Sequence, residues 1–171
     1  MKQLYFMRHG LSVMNKQGVF SGSRDTPLAP EGIQQCEMAA EYLKNIKLDV
    51  IVASPLRRTI DSASIIARKL GIPPDKLILS DLFRERSFGP LEGTSYSRHH
   101  DLDDIDGVEH SSDLIKRAEQ GIAFLNSLEG ADVILLVSHG AIGRALRHAL
   151  NPKLDYHEPE SFNNAEIVRL I

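Results

Sequence analysis

The stretch VILLVSHG, residues 133–140, decides the fold. Five successive apolar residues, all β-branched or leucine, predict a short strand that is buried on both faces of a sheet. The strand runs directly into His139 and Gly140, and the segment from Ala141 to Leu150 then has helical spacing. A buried strand that leads straight into a helix is typical of a largely parallel sheet with helices on both faces.

Four more strands and three more helices are predicted around this unit. The strands are predicted at residues 4–7, 50–53, 77–79 and 166–171, and the helices begin at Pro30, after Pro55 and near Ser111. We expect Gly71 to end the second of these helices, and one of the residues 111–113 to cap the third. Residues 10–30 and 81–110 are predicted to be long loops, the second with one helical turn. At 171 residues, the α/β pattern predicts one domain over residues 1–171.

The bulk composition argues against several classes of protein. A net charge of −3 gives no reason to expect nucleic acid as a partner. No apolar run approaches the roughly 20 residues of a membrane-spanning helix, and the first residues lack the core of a signal peptide. We therefore expect a cytoplasmic protein that does not bind membranes. The single cysteine, Cys36, cannot form an internal disulfide and fits a reducing compartment.

Two histidines follow predicted strands in the same way, each with a glycine after it. His9 follows the first strand as His139 follows the strand at 133–137, and the carboxyl ends of parallel strands share one edge of a sheet. A neutral imidazole can attack phosphorus when one ring nitrogen is free and the other is held by an acceptor. His9 is therefore the candidate nucleophile. His139 and the helix N–H groups at Gly140 and Ala141 form a candidate anion site, with a structural role for either histidine as the alternative.

Cationic and acidic side chains occur at the same predicted edge. Arg8 and Arg58 are expected to bind the equatorial oxygens of a transferred phosphoryl group. Arg57 points about 100° away from Arg58 on a helix, so it is predicted to lie on the surface. Glu85 is the candidate general acid for a leaving alkoxide, although the alternating charges at 84–86 are also typical of a solvated loop.

The first long loop contains further candidates for phosphate binding. The side-chain amide of Asn15 and exposed backbone N–H groups at Ser21 and Gly22 suit phosphate oxygens. The same residue types are common in plain turns, so the residues alone leave both interpretations open.

Taken in order, these fragments resemble the histidine phosphatase superfamily, whose best-known branch is the cofactor-dependent phosphoglycerate mutases. The resemblance rests on FMRHG at 6–10 with Asn15, GSRDTPL at 22–28, SPLRRT at 54–59, LFRE at 82–85 with FGPLEG at 88–93, and VSHG at 137–140. These segments extend over nearly the whole chain in the order and spacing of that family.

The resemblance implies a three-layer α/β/α sandwich on a mostly parallel sheet and a mechanism that needs neither a metal nor another cofactor. His9 resembles the nucleophile that becomes phosphorylated, and Glu85 resembles the proton donor. Arg8, Arg58 and His139 resemble the rest of the phosphate pocket, with Asn15, Ser21 and Gly22 as further contacts. The phosphoryl group would pass from substrate to His9, and then to water in a phosphatase or to an acceptor in a mutase.

The branch within the family is predicted from the length of one segment. Only residues 94–110 separate Gly93 from the helix near Ser111, whereas the mutases carry a large insertion there. A short cap gives water easier access to phosphohistidine, which favours a small phosphomonoesterase acting on a small phosphorylated metabolite. The valine at 108 interrupts a Gly-Glu-Ser pattern of phosphatase branches, so the substrate stays open. The alternatives are a phosphoglycerate mutase-type transferase and a protein phosphohistidine phosphatase, and the oligomeric state is open, with a homodimer as one option.

A metal site and a non-catalytic binding module are two other classes of function that the residues disfavour. The acidic and histidine-rich segment 98–110 suggests a metal site, but adjacent histidines point apart and Leu102 stands where a calcium loop needs an acid. We favour a solvated loop, in which residues 98–100 would contact the leaving group if the resemblance holds. A binding module that has lost catalysis is disfavoured because His9, Glu85 and His139 are all present.

Overall fold

The computed structural model describes residues 2–96, 102–157 and 162–171, which build an α/β protein around one sheet. Its strands are β1 (Gln3–Arg8), β2 (Val50–Ala53), β3 (Leu77–Leu79), β4 (Val133–Ser138) and β5 (Ile167–Arg169). The strands lie in the order β3-β2-β4-β1-β5, with β5 antiparallel to β1 and the other pairs parallel. The predicted mostly parallel sheet is confirmed, and β4 is its central strand.

The helices cover both faces of this sheet. They are α1 (Val13–Lys16), α2 (Pro30–Leu43), α3 (Arg57–Leu70), α4 (Ser111–Ser127) and α5 (Gly140–Leu150). Ile134 and Leu136 of β4 join the core formed with α4 and α5, whereas Leu135 and Val137 join the core formed with α2 and α3. Burying each such side chain stabilises the fold by roughly 1.5–3 kcal/mol. Within the described residues, no helix combines the length and apolar character needed to cross a bilayer.

Three local predictions differ from the structure. The loop at 10–30 contains α1, a single turn too short to show a hydrophobic period. The residues 111–113 do not cap α4; its N-cap is His110, whose Nδ1 accepts a hydrogen bond from the Ser112 N–H at 3.2 Å. In the described part of the loop at 81–110, Asp81–Phe83 and Gly89–Leu91 are 3-10 turns, where one helical turn was predicted.

The parallel register brings three strand ends to one edge. Arg8 of β1 is paired with Ser138 of β4, and Ala53 of β2 with Val137. The residue after β1 continues this pairing, since the His9 N–H donates to the Ser138 carbonyl at 2.9 Å. Segments far apart in the sequence therefore meet beyond the carboxyl ends of the strands, as predicted.

Candidate active site

A cleft of about 180 Å³ opens at this edge of the sheet. Its lining includes the predicted residues Arg8, His9, Asn15, Ser21, Gly22, Arg58, Glu85 and Gly140. Ala141, whose N–H was part of the predicted anion site, also lines the cleft, and the rest of the lining was not predicted to belong to a site: Val19, Phe20, Phe88, Tyr96, Leu102 and Arg144. His139 is buried and is not part of this lining, and its ring lies edge-on beside that of His9, with the two ring centroids 5.2 Å apart.

His9 is held as a neutral imidazole with one free nitrogen. Its Nδ1 lies 2.7 Å from the Gly10 carbonyl oxygen, and because a carbonyl only accepts, the hydrogen is on Nδ1. Nε2 then carries the lone pair. Burial lowers the pKa of His9 well below its usual value, and the charges of Arg58 and Arg8 lower it further. The ring is therefore uncharged at neutral pH, as a nucleophile requires.

Three neighbours fix the backbone around His9. The Gly10 N–H donates to Ser62 Oγ at 3.0 Å, and the Asn164 side chain donates to the His9 carbonyl at 3.0 Å. A Cβ at Gly10 would lie 2.5 Å from the Gly32 carbonyl oxygen, so only glycine fits there. Sequence reasoning missed Ser62 and Asn164, because neither lies next to a recognised motif.

His139 presents a buried N–H beside the nucleophile. Its Nε2 lies 2.8 Å from Ser54 Oγ, a hydroxyl that also accepts from the Leu56 N–H at 3.4 Å, and we assign the hydroxyl hydrogen of Ser54 to Nε2. A neutral His139 then carries its hydrogen on Nδ1. Burial lowers the pKa of His139 well below its usual value, and the positive charge of Arg58 lowers this pKa further. The ring is thus a neutral hydrogen-bond donor.

Two guanidinium groups supply positive charge, Arg58 buried and Arg8 half-buried. Arg58 is 1% exposed and donates to the carbonyls of Gly22 and Arg24, both at 2.8 Å. Arg8 donates from Nη1 to the Phe162 carbonyl at 2.9 Å. Burial lowers the pKa of both, that of Arg58 to about 10, but an arginine stays charged near neutral pH at that value. Neutral carbonyls hold these cations in place without neutralising them.

Arg57 differs from its neighbour as predicted. Its side chain is 62% exposed and lies 3.5 Å from Asp61 on the next turn of α3. Adjacent positions on a helix point in different directions, so only Arg58 faces the cleft.

Four buried polar atoms around the nucleophile have no hydrogen-bond partner in the described part of the chain. They are Arg8 Nε, Arg58 Nε, Ser21 Oγ and His139 Nδ1. Each such atom costs about 1–3 kcal/mol when it is left unsatisfied. Three of them are N–H groups, two on the guanidinium groups of the arginines and one on the imidazole of His139. This arrangement of donors fits an anion.

Asn15 adds a donor to the same wall. Its Oδ1 accepts from the Ser12 N–H and from the Asn164 side chain, both at 3.3 Å. With the oxygen occupied, the amide nitrogen of Asn15 is left for a ligand in the cleft that it lines.

The carboxyl of Glu85 lies at the N-terminus of α5, so its side chain is not that of a solvated loop. Its Oε1 accepts from the N–H groups of Arg86 at 2.9 Å, Ala141 at 3.1 Å and Ile142 at 3.2 Å. The helix N–H group of Ala141, which we expected to bind an anion, is therefore engaged by Glu85. Among the described residues, Oε2 shares the Ala141 N–H at 3.3 Å and has more hydrogen-bonding capacity left than Oε1. A Cβ at Gly140 would lie in ordinary contact with Arg8 Nε, at 3.7 Å, so Gly140 faces Arg8 across the cleft that both line.

The segment considered for a metal is partly outside the described residues, which exclude 97–101. In its described part, Asp103 pairs with Arg86, and Glu109 pairs with Arg117. Across residues 2–96, 102–157 and 162–171, no three His, Cys, Asp or Glu side chains are grouped so that they could hold a metal ion.

Comparisons with known proteins agree with this arrangement. Residues 4–171 match the model of the histidine phosphatase superfamily, branch 1. An uncharacterised phosphatase, PhoE of Bacillus subtilis, is 31% identical over 163 residues, which cover 94% of this chain and 81% of that protein.

Solved structures show the same fold. A mycobacterial glucosyl-3-phosphoglycerate phosphatase in complex with VO3 superposes with a TM-score of 0.86 at 26% identity, covering 99% of this chain and 92% of that one. A phosphoserine phosphatase of Entamoeba histolytica, in complex with 3-phosphoglyceric acid, gives 0.80 at 27% identity, covering 98% and 89%. These matches confirm the prediction of a phosphoglycerate mutase-like fold and a histidine-type phosphatase. The chain belongs to the histidine phosphatase superfamily, branch 1.

Proposed function

We propose that this chain is a metal-independent phosphomonoesterase that hydrolyses a small phosphorylated metabolite through a phosphohistidine on His9, working as one domain over residues 1–171. The observation that carries the proposal is the set of unpartnered buried donors around a neutral histidine. A phosphate ester bound there would accept from Arg8, Arg58 and His139, with Asn15 and Ser21 as further partners. Gly22 and Gly140 line the same cleft and are further candidate contacts for its oxygens.

The first step transfers the phosphoryl group to the enzyme. His9 Nε2 attacks phosphorus, the bond between phosphorus and the ester oxygen breaks, and the electron pair of that bond leaves with the oxygen. Glu85 Oε2 donates a proton to the departing alkoxide, so that an alcohol is released. The arginines stabilise the charge on the equatorial oxygens, and one such donor is commonly worth ~3 kcal/mol in the transition state.

The second step hydrolyses the phosphohistidine. Glu85, now a carboxylate, accepts a proton from water as the water oxygen attacks phosphorus. The bond between phosphorus and Nε2 breaks, inorganic phosphate leaves, and both His9 and Glu85 return to their starting states. The Gly10 carbonyl keeps the hydrogen on Nδ1 throughout, so the same nitrogen reacts in every cycle.

The size of the proposed substrate is inferred from the volume of the cleft and from the substrates of the similar phosphatases. A cleft of about 180 Å³ suits a small molecule better than a folded protein surface. The solved relatives named above are phosphatases of phosphoserine and of a glucosylated phosphoglycerate, both small phosphorylated metabolites.

The test is hydrolysis of 4-nitrophenyl phosphate in EDTA by the wild type and by His9→Ala. We expect activity that survives the chelator and falls at least about 1,000-fold in the variant, since the nucleophile is lost. Acid-labile label from a ³²P-labelled substrate should be trapped on the wild type alone. Activity that requires an added metal, or that survives the substitution, would contradict the mechanism.

A further inference from the structure

The segment that carries Glu85 is held from behind by one arginine of α4. Arg117 donates from Nη1 to the carbonyl oxygens of Leu82 at 3.0 Å and Arg84 at 2.7 Å. Its Nη2 also lies 3.4 Å from the backbone carbonyl of Glu85. One guanidinium therefore binds three carbonyls of the same short segment, where the backbone has no strand or long helix to hold it.

A carboxylate holds this arginine in place. Glu109 accepts from Arg117 Nε at 3.0 Å and from Nη2 at 2.8 Å, a two-point pairing that fixes the plane of the guanidinium. Glu109 also reaches the far end of the segment. Its Oε2 accepts from the Ser87 N–H at 3.0 Å, and its backbone carbonyl accepts from Arg86 Nε at 2.7 Å.

Neither member of the pair lines the cleft, and both side chains are 20% exposed. Their contacts near the cleft are with residues 82–87, and the charge of Arg117 also contributes to lowering the pKa of His139. Within that segment, Glu85 is the residue that lines the cleft, and its carboxyl is the proton donor of the proposed function. A proton donor must lie within hydrogen-bond reach of the leaving oxygen, and a displacement of about 1 Å can cost on the order of 100-fold in rate.

We propose that the Arg117–Glu109 ion pair positions Glu85 for proton transfer to the leaving group. This inference rests on the proposed function, in which Glu85 is the acid. The pair sets the backbone of the acid from the side of α4, while the N–H groups of Ala141 and Ile142 set its carboxyl from the side of α5. Arg117 and Glu109 are positioning residues and contact no substrate.

The role predicts a dependence on the leaving group. A 4-nitrophenolate ion leaves without a proton, whereas the alkoxide of benzyl phosphate needs one. The two substrates are of similar size, so a general disturbance of the cleft would slow both. A disturbance confined to the acid would lower kcat/KM for benzyl phosphate alone.

The experiment compares these substrates in Glu109→Gln and in Arg117→Lys, which keep the size or the charge of the original side chain. We expect kcat/KM for benzyl phosphate to fall about tenfold in each variant and the value for 4-nitrophenyl phosphate to stay within about twofold. Lys116→Ala is the matched control, because its exposed pairing with Asp113 lies on the same helix and touches nothing near Glu85; it should change neither rate. Equal losses for both substrates, or no loss, would overturn the inference.

A second arm uses Glu85→Gln. That variant alone should lower kcat/KM for benzyl phosphate about 100-fold, a much larger loss than for 4-nitrophenyl phosphate, and adding Glu109→Gln should then lower kcat/KM for benzyl phosphate no further. A loss from Glu109→Gln that persists without the acid would show a role unconnected with Glu85. If Glu85→Gln itself slows both substrates equally, the proposed function fails at the acid, which is a different outcome from failure of the positioning role.

Discussion

Lowering the pH from 7.5 to 5.5 should destabilise this protein through His9 and His139. An unfolded histidine takes up a proton near pH 6.5, whereas burial and the neighbouring arginines keep both rings neutral in the folded state to a much lower pH. Below pH 6.5 the unfolded state therefore binds more protons than the folded state. The stabilisation is complete above pH 6.5 and is lost as the pH falls below it.

The size of the effect follows from the two depressed pKa values. One histidine that titrates only when unfolded costs about 1.4 kcal/mol of stability for each pH unit below 6.5. At pH 5.5 the two rings together cost about 2.8 kcal/mol. That is a large part of the ~5–15 kcal/mol by which a domain is normally stable.

The assay is urea unfolding in phosphate-free buffer between pH 7.5 and 5.5. His9→Asn keeps a donor for the Gly10 carbonyl, and His139→Gln keeps an acceptor for Ser54, so each removes the titration with little change in packing. Each variant should lose about 1.4 kcal/mol less than the wild type over this range. A wild type whose free energy of unfolding falls no more steeply than that of the variants would refute the assignment of buried, neutral rings.

Two further outcomes are expected from single substitutions. Arg58→Lys should lower kcat/KM for 4-nitrophenyl phosphate about 100-fold, because a lysine cannot bind the Gly22 and Arg24 carbonyls and phosphate at once, while Arg57→Lys should leave it unchanged. Gly22→Ala should lower the urea midpoint by an amount equal to about 1–3 kcal/mol, since φ is +50° there and a Cβ would lie 2.1 Å from Glu92 Oε1; an unchanged midpoint would contradict the geometry.

The parts of the fold that sequence predicted were those with a strong apolar signal. β2 and β3 have the predicted ends, and β4 extends one residue further, because apolar side chains that must be buried on a pleated surface leave few choices. The position of the site followed from the same signal, since parallel strands bring Arg8 and His139 to one edge. Short elements such as α1 carry no period, and sequence could not reveal them.

The contacts made by the loops were less predictable. The charges at 84–86 were compatible with a solvated loop, yet Arg86 is 3% exposed, because Asp103 and the Glu109 carbonyl satisfy its guanidinium. That outcome depends on which distant loop lies alongside, and local sequence does not encode it. The apolar wall at Phe20 and Tyr96 was missed for the same reason, since isolated aromatic residues in loops usually signal nothing by themselves.

The carboxyl of Glu85 lies at the first turn of α5, which links the proposed catalysis to the stability of the fold. In many enzymes a reactive side chain is held under strain, and its removal makes the protein more robust while ending its activity. Here the same carboxyl satisfies N–H groups that would otherwise be orphaned at a helix end, a contribution commonly worth ~1 kcal/mol. A relative of this protein that lacks the proposed reaction would gain no stability from losing this carboxyl. Selection for stability alone would then retain Glu85. The presence of this glutamate is therefore weaker evidence of activity than the presence of His9.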